Sequence, residues 1–164
     1  METTTLQPFV VMLMHALAPT RTVESLTPLA DAIVTVVSEE ETLFRGKDGR
    51  ERTAALISAI AYRESGFDPK AVGDGGKSFC AMQIHESAGG TKSLLEDPVL
   101  CIRTGYRMLR TSIRVCREHP VAWYAEGPRG CTSSRGQWIS RDRTNLANWA
   151  YDRVLWKLSH PGES

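Results

Sequence analysis

An excess of charge of either sign is what this chain most plainly lacks. Lys and Arg number 20 against 19 Asp and Glu, a formal net charge of +1. No global field therefore draws it to nucleic acid or to a membrane surface. Long apolar runs are missing too. The stripe near the start covers residues 6 to 18, short of the roughly 20 residues that a bilayer-spanning helix needs. None of the four cysteines stands in a Cys-x-x-Cys pair, the spacings being 21, 15 and 15 residues, which argues against a zinc centre. There is no internal repeat and no low-complexity tract. What is present is the composition of an ordinary soluble globular chain, 41% hydrophobic and 24% charged over 164 residues. That is enough for one domain with a proper core.

Four cysteines without metal spacing leave two disulfides or four buried thiols. Disulfides fit a protein that works outside the cytosol, and four cysteines allow three pairings. One pairing is removed by helix geometry. Cys101 and Cys116 share a predicted helix and would lie about 22 Å apart at 1.5 Å per residue, whereas a disulfide needs α-carbons within about 7 Å. The other two pairings stay open on this ground.

The stretch that organises the chain runs from Ile57 to Ile84. Ile57, Ile60 and Ala61 recur at helical spacing, and Glu64 falls four residues after Ile60 and seven after Ile57. Its carboxylate is thus expected on the apolar face, just before Gly66 stops the helix. Burial of a carboxyl raises its pKa, and such a group is suited to protonating a leaving oxygen. A helix-terminal Glu that curls into water is the plainer alternative.

Around this stretch the chain reads as helices. Leu6, Phe9, Val10, Leu13, Met14 and Leu17 make a first amphipathic stripe. As a secretory signal it is poor, because no basic region precedes it, although Ala16-Leu17-Ala18 imitates a cleavage motif. A second helix is expected from Pro28, capped by Thr27, to about Phe44, with Glu39, Glu40 and Glu41 as a solvated patch. A turn follows at Gly46–Gly49. Between Gly66 and Gly90 only the stretch from Phe79 to Ile84 suggests a strand of a small hairpin. Asp97 and Pro98 open the next helix, buried through Ile102, Tyr106, Leu109, Ile113 and Cys116. Its other face carries Arg103, Arg107, Arg110, Arg114 and Arg117, either a solvated face or a surface for an anionic partner. Pro120 starts a short helix, Gly127 to Ser140 reads as a loop bordering a cleft, and a final helix is expected from Asp142 to Leu158. Trp123 and Trp138 are read either as packing or as stacking surfaces for a ligand.

Three ordered motifs carry a resemblance. Glu64-Ser65-Gly66-Phe67, then Gly73-Asp74-Gly75-Gly76, then Ser78 with Met82-Gln83-Ile84 resembles the lysozyme-like lytic transglycosylases and the related goose-type lysozymes. Ala122-Trp123-Tyr124-Ala125-Glu126-Gly127-Pro128 is similar to the family's Ala-Ala-Tyr-Asn-Ala-Gly-Pro segment. The likeness covers about residues 52 to 130. It implies a mainly α, lysozyme-like fold with a small β-hairpin beside the cleft. Residues 1–50 would be N-terminal helices packed on a catalytic domain of residues 51–164. It implies that Glu64 is the single catalytic acid/base, that Ser78, Met82, Gln83 and Ile84 line the sugar cleft, and that Tyr124 contacts the catalytic Glu. Goose-type lysozymes make Asp74, and less directly Glu86, candidates for a second carboxylate. The chain departs from the pattern where Cys80 replaces Gly, Ala81 replaces Leu, and Cys101 and Ala125 each replace Asn. Because Cys80 and Cys101 both stand in the family's cleft core, the resemblance favours Cys80 with Cys101, and hence Cys116 with Cys131.

The implied reaction is cleavage of the β-1,4 bond between N-acetylmuramic acid and N-acetylglucosamine in peptidoglycan. Glycoside hydrolysis ordinarily uses two carboxylates. A lytic transglycosylase uses one, because the substrate's own C6 hydroxyl attacks and leaves a 1,6-anhydro end. Neither cofactor nor metal is implied. The alternatives are a goose-type hydrolase of the same bond and a non-catalytic module that binds glycan or a partner. Expected partners are peptidoglycan glycan strands, with a virion or secretion-apparatus protein as carrier. No nucleic acid and no membrane span are expected. The expected place of action is the periplasm or cell wall, reached in a virion or by delivery without a standard signal peptide.

Overall fold

In the computed structural model, which describes residues 3–162, every residue from Thr53 to Ala61 is buried. These residues form the middle of α3 (Gly49–Ser65), around which the rest is arranged. The helices α1 (Thr3–Leu17), α2 (Val23–Glu39), α4 (Pro98–Val115) and α6 (Ser134–Ser159) all pack against it, and α5 (Ala122–Glu126) bridges α4 and α6. Three two-residue strands, β1 (Val72–Gly73), β2 (Ser78–Phe79) and β3 (Ile84–His85), make a small antiparallel sheet in that order. The fold is mainly α and lysozyme-like, as the resemblance implied.

The apolar stripe of α1 is fully used: Leu6, Phe9, Val10, Leu13, Met14 and Leu17 are all buried. The second helix starts earlier than its proline suggests. Thr22, not Thr27, is its cap, accepting the amide of Ser25 at 3.2 Å, and Pro28 lies inside the helix. It also stops at Glu39 rather than Phe44, where Glu40 turns extended. The acidic run beyond is not simply solvated. Arg103 donates to Glu39 at 2.6 Å and Glu40 at 3.3 Å, and Arg110 to Glu41 at 2.8 Å. The arginine face of α4 thus has much of its anionic partner within the chain, in half-exposed pairs worth about 0–1 kcal/mol each.

Helix α4 begins as its sequence dictates, with Asp97 Oδ1 accepting from Leu100 N at 2.9 Å. The sheet differs in detail from expectation. The stretch from Phe79 to Ile84 is not one strand but the turn joining two, with Phe79 paired to Ile84 and Ser78 to His85. Cys80 and Gln83 take positive φ, 67° and 48°, to close it. Both disulfides are the pair the resemblance favoured. Cys80–Cys101, α-carbons 6.2 Å apart, ties this turn to α4; Cys116–Cys131, 5.3 Å apart, ties the end of α4 to the segment before α6. That segment is shorter than its Gly, Ser and Arg content suggests. Ser133 caps α6 by accepting from Gly136 N at 2.9 Å, so residues 134 to 140 are helical.

Candidate active site

The end of α3, the sheet, α5 and the first turns of α6 enclose a cleft of ≈ 840 Å³. Glu64 enters it from the last turn of α3, where Gly66 at φ 61° ends the helix and its amide bonds Tyr62 O at 2.8 Å. Ser65 joins that end to the sheet's turn: its hydroxyl lies 2.9 Å from Ala81 O and 3.0 Å from Ala61 O, and accepts from Asp68 N at 3.2 Å. Glu64 is therefore placed by a helix terminus stitched to the facing wall, not by a flexible loop.

Its surroundings are more polar than a place on an apolar stripe suggests. The Glu64 side chain is 27% exposed, and Oε1 accepts from Arg143 Nη2 at 3.2 Å. Arg143, only 13% exposed, also donates to Asp142 Oδ2 at 2.6 Å, and Asp142 Oδ1 accepts from Arg63 at 2.9 Å. The Nε of Arg143 is enclosed without a partner. Arg143 was not read from the sequence. With α6 expected to start at Asp142, its direction had no basis; with the start at Ser134, it falls on the line Arg135–Ile139–Arg143 that faces the cleft.

Tyr124 lines the cleft, but its hydroxyl donates to Met82 O at 2.6 Å rather than to Glu64, and its amide donates to Ser112 Oγ at 3.0 Å. Burial pushes its phenol well above the usual range; the charge of Glu64 adds to the rise and Arg143 opposes it. The bond to Met82 O clamps α5 onto the sheet's turn.

The residues expected to line the cleft divide into two groups. Ser78 and Gln83 do so. Ser78 donates to Asp74 Oδ2 at 2.5 Å, and Gln83 Nε2 lies 3.2 Å from Ala71 O and 3.0 Å from Cys80 O. The Met82 and Ile84 side chains are fully buried and lie outside the lining. Met82 packs against Gly105 of α4, where a Cβ would come within 2.6 Å of its Cε, and offers the cleft wall only its carbonyl. Asp74, at φ 51°, shares the cleft with Glu64. Glu86 is not among the lining residues, whereas its neighbour His85 is. Trp123 lines the cleft; Trp138 is 58% exposed outside it.

A further carboxylate, Glu126, went unnoticed because it stands at an Ala of the family's segment. It lines the cleft, accepts from Ser133 Oγ and pairs with Arg135 Nε at 3.3 Å. Among the described residues no group of three or more His, Cys, Asp or Glu could hold a metal ion. No described helix is long and apolar enough to cross a membrane.

Comparison with the curated proteins and with the solved structures found no significant match in either. Among known families, the Transglycosylase SLT domain matches residues 42–147. That span is more than half of the chain, begins just before α3 and includes Glu64, the sheet, α4, α5 and Arg143. The chain therefore belongs to the transglycosylase SLT family, the peptidoglycan lytic transglycosylases.

Proposed function

We propose that this protein cleaves the β-1,4 bond between N-acetylmuramic acid and N-acetylglucosamine with Glu64 as its only acid/base, leaving 1,6-anhydro ends. The observation that carries this reading is the position of Glu64. It is a carboxyl on a braced helix end, in the large cleft, with one oxygen bonded by Arg143 and no described donor bonded to the other. In the first half-reaction Glu64 gives its proton to the glycosidic oxygen as the C1–O bond breaks. The C6 hydroxyl of the same muramic residue then attacks C1, and its proton returns to Glu64. No water is consumed and the carboxyl ends as it began. Arg143 holds Glu64 in register for both transfers.

A hydrolytic outcome would need a second carboxylate to hold water. Asp74 shares the cleft and is the residue that favours this second reading. The acid/base role of Glu64, the bond cleaved and the anhydro product are tested together by mass spectrometry of muropeptides released from purified peptidoglycan. Wild type should yield anhydro ends, and Glu64→Gln none. Reducing ends that depend on Glu64 would replace this reading by hydrolysis through Asp74. Products that persist in Glu64→Gln would refute the assignment of Glu64, and no products from wild type would leave a binding module. We further propose that the protein acts at the cell wall, an oxidising compartment where two disulfides persist. Carriage within a particle predicts its recovery from purified virions.

A further inference from the structure

Three of the chain's four tryptophans lie on α6, at positions 138, 149 and 156. The separations of 11 and 7 residues amount to about three and two whole helical turns, so all three share one line along the helix. Residues 140, 147 and 154, about 160–200° round the helix from Trp138, form the buried line on the opposite side. The tryptophans thus stand at the centre of the solvent face, 58%, 51% and 38% exposed. At 1.5 Å per residue the row extends about 27 Å. It begins beside the cleft, because Trp138 directly precedes Ile139, which lines it. Trp156 is held by stacking on His160, ring centroids 4.9 Å apart and 14° from parallel.

We infer that this row is a second carbohydrate-binding surface, on which a peptidoglycan glycan strand lies as it leaves the cleft; the inference rests on the functional reading above. The chemistry of the face selects the occupant. Between the rings stand exposed Arg141, Asn145 and Asp152 rather than further apolar residues. A protein helix docking in a groove presents apolar anchors at i, i+3, i+4 and i+7, a continuity that this face lacks. Leu155 and Leu158 do not supply it, lying about 100° and 160° round the helix from Trp156. A membrane surface would have to cover Asp152 and Asn145, and a nucleic acid would ask for a basic groove, whereas Arg141 and Arg153 are offset by Asp152. Separate flat rings with amide and charged groups between them suit a polymer of sugar rings bearing hydroxyl and acetamido groups, apolar on their faces and polar at their edges.

The test uses the full chain carrying Trp138→Ala and Trp149→Ala together, with insoluble peptidoglycan sacculi as probe. The two rings are exposed and stack on no other ring, so the thermal midpoint should match wild type. Co-sedimentation with sacculi should weaken by about tenfold or more, which corresponds to about 1.4 kcal/mol. Cleavage of a short soluble muropeptide that occupies only the cleft should be unchanged. Unaltered binding to sacculi would overturn the inference, as would equal losses on sacculi and on the short substrate. Trp-dependent capture of a virion protein, with sacculus binding unaltered, would also overturn it in favour of a protein partner. If wild type cleaves nothing yet binds sacculi in a Trp-dependent manner, this surface stands and the catalytic reading alone falls.

Discussion

Removing the disulfide between Cys80 and Cys101 should cost the protein both stability and cleavage, whereas removing the other should cost stability alone. The bond closes a loop of 21 residues between the sheet's turn and α4. In the chain-entropy account that loop is worth about 3.3 kcal/mol at 25 °C, and the 15-residue loop of Cys116–Cys131 about 3.0 kcal/mol. For a chain of this size either loss should lower the thermal midpoint by about 6–13 °C. The near-equality is useful, because it separates stability from the site. Cys80 opens the turn that carries Gln83 and the Met82 carbonyl on which Tyr124 closes. Cys131 lies beyond α5, and its disulfide holds no residue of the cleft wall directly.

The assay is thermal unfolding by circular dichroism together with cleavage of peptidoglycan well below the lowest midpoint. The variants are Cys80→Ala/Cys101→Ala and Cys116→Ala/Cys131→Ala. Both should melt earlier by similar amounts, and only the first should cleave several-fold more slowly while still folded. Equal activities in the two folded variants would refute the argument that this disulfide fixes the cleft wall. Midpoints equal to wild type would refute the loop-entropy magnitude itself.

Two further outcomes follow, one from the site and one from its buried phenol together with a second one elsewhere. Arg143→Met leaves Glu64 and Asp142 without their shared donor. Because these groups are partly open to solvent, stability should fall by only about 1–2 kcal/mol, while kcat falls about 10- to 100-fold with KM little changed. Arg143→Lys, which keeps the charge but not the two-pronged donor, should recover part of that loss, and an unaltered kcat in Arg143→Met would discard the positioning role. The second outcome concerns alkaline pH. Tyr124 is raised chiefly by burial, and Tyr151 is raised to about 12 by burial and by its hydrogen bond to Asp48. A phenol raised on folding contributes stability that is complete below its unfolded pKa of about 10 and is lost as pH climbs through the folded value. The thermal midpoint should therefore hold below about pH 9.5 and fall between about 10 and 12. Tyr124→Phe should fall less steeply, and a wild-type midpoint that stays level through pH 12 would contradict the burial of these hydroxyls.

What could be read in advance depended on whether a local rule met a competitor. Gly66 and Asp97 met none, so the end of α3 and the start of α4 stand where the residues say. Pro28 met one. A proline inside a helix costs about 3 kcal/mol through its absent N–H, but Leu26 and Leu29 beside it are buried and contribute about 1.5–3 kcal/mol each. Helix α2 therefore runs through the proline from a cap at Thr22. The segment from Gly127 to Ser140 misleads in the opposite direction. Its composition is that of a loop, yet Ser133 supplies a cap and Gly136 comes close enough to Gly130 to be buried. Placing that start two turns late hid Arg143 from view. The pairing of Glu39–Glu41 with the arginines of α4 lay 63 to 69 residues apart in the chain, a distance over which charge patterning alone has no reach.

The three carboxylates of the cleft are not equivalent, and their bonds rank them for proton transfer. Glu126 has both oxygens engaged, Oε2 by Ser133 and Oε1 by Arg135. Neither oxygen can hold a water or hand a proton to a glycosidic oxygen without giving up a bond it already makes. Asp74 has one oxygen held by the buried hydroxyl of Ser78, in a turn that already takes a positive φ. Strain of that kind persists only where surrounding structure enforces it, and here the strand pairing of Gly73 with Ser78 does so. Glu64 alone combines a braced helix end with a cationic donor and an oxygen that no described donor bonds. Proton donation followed by proton recovery at one atom needs an oxygen that is held in place and not already bonded. A route through water needs in addition the second oxygen of Asp74, and the 1,6-anhydro route does not. These bonds are the ground on which the intramolecular route is proposed ahead of the hydrolytic one.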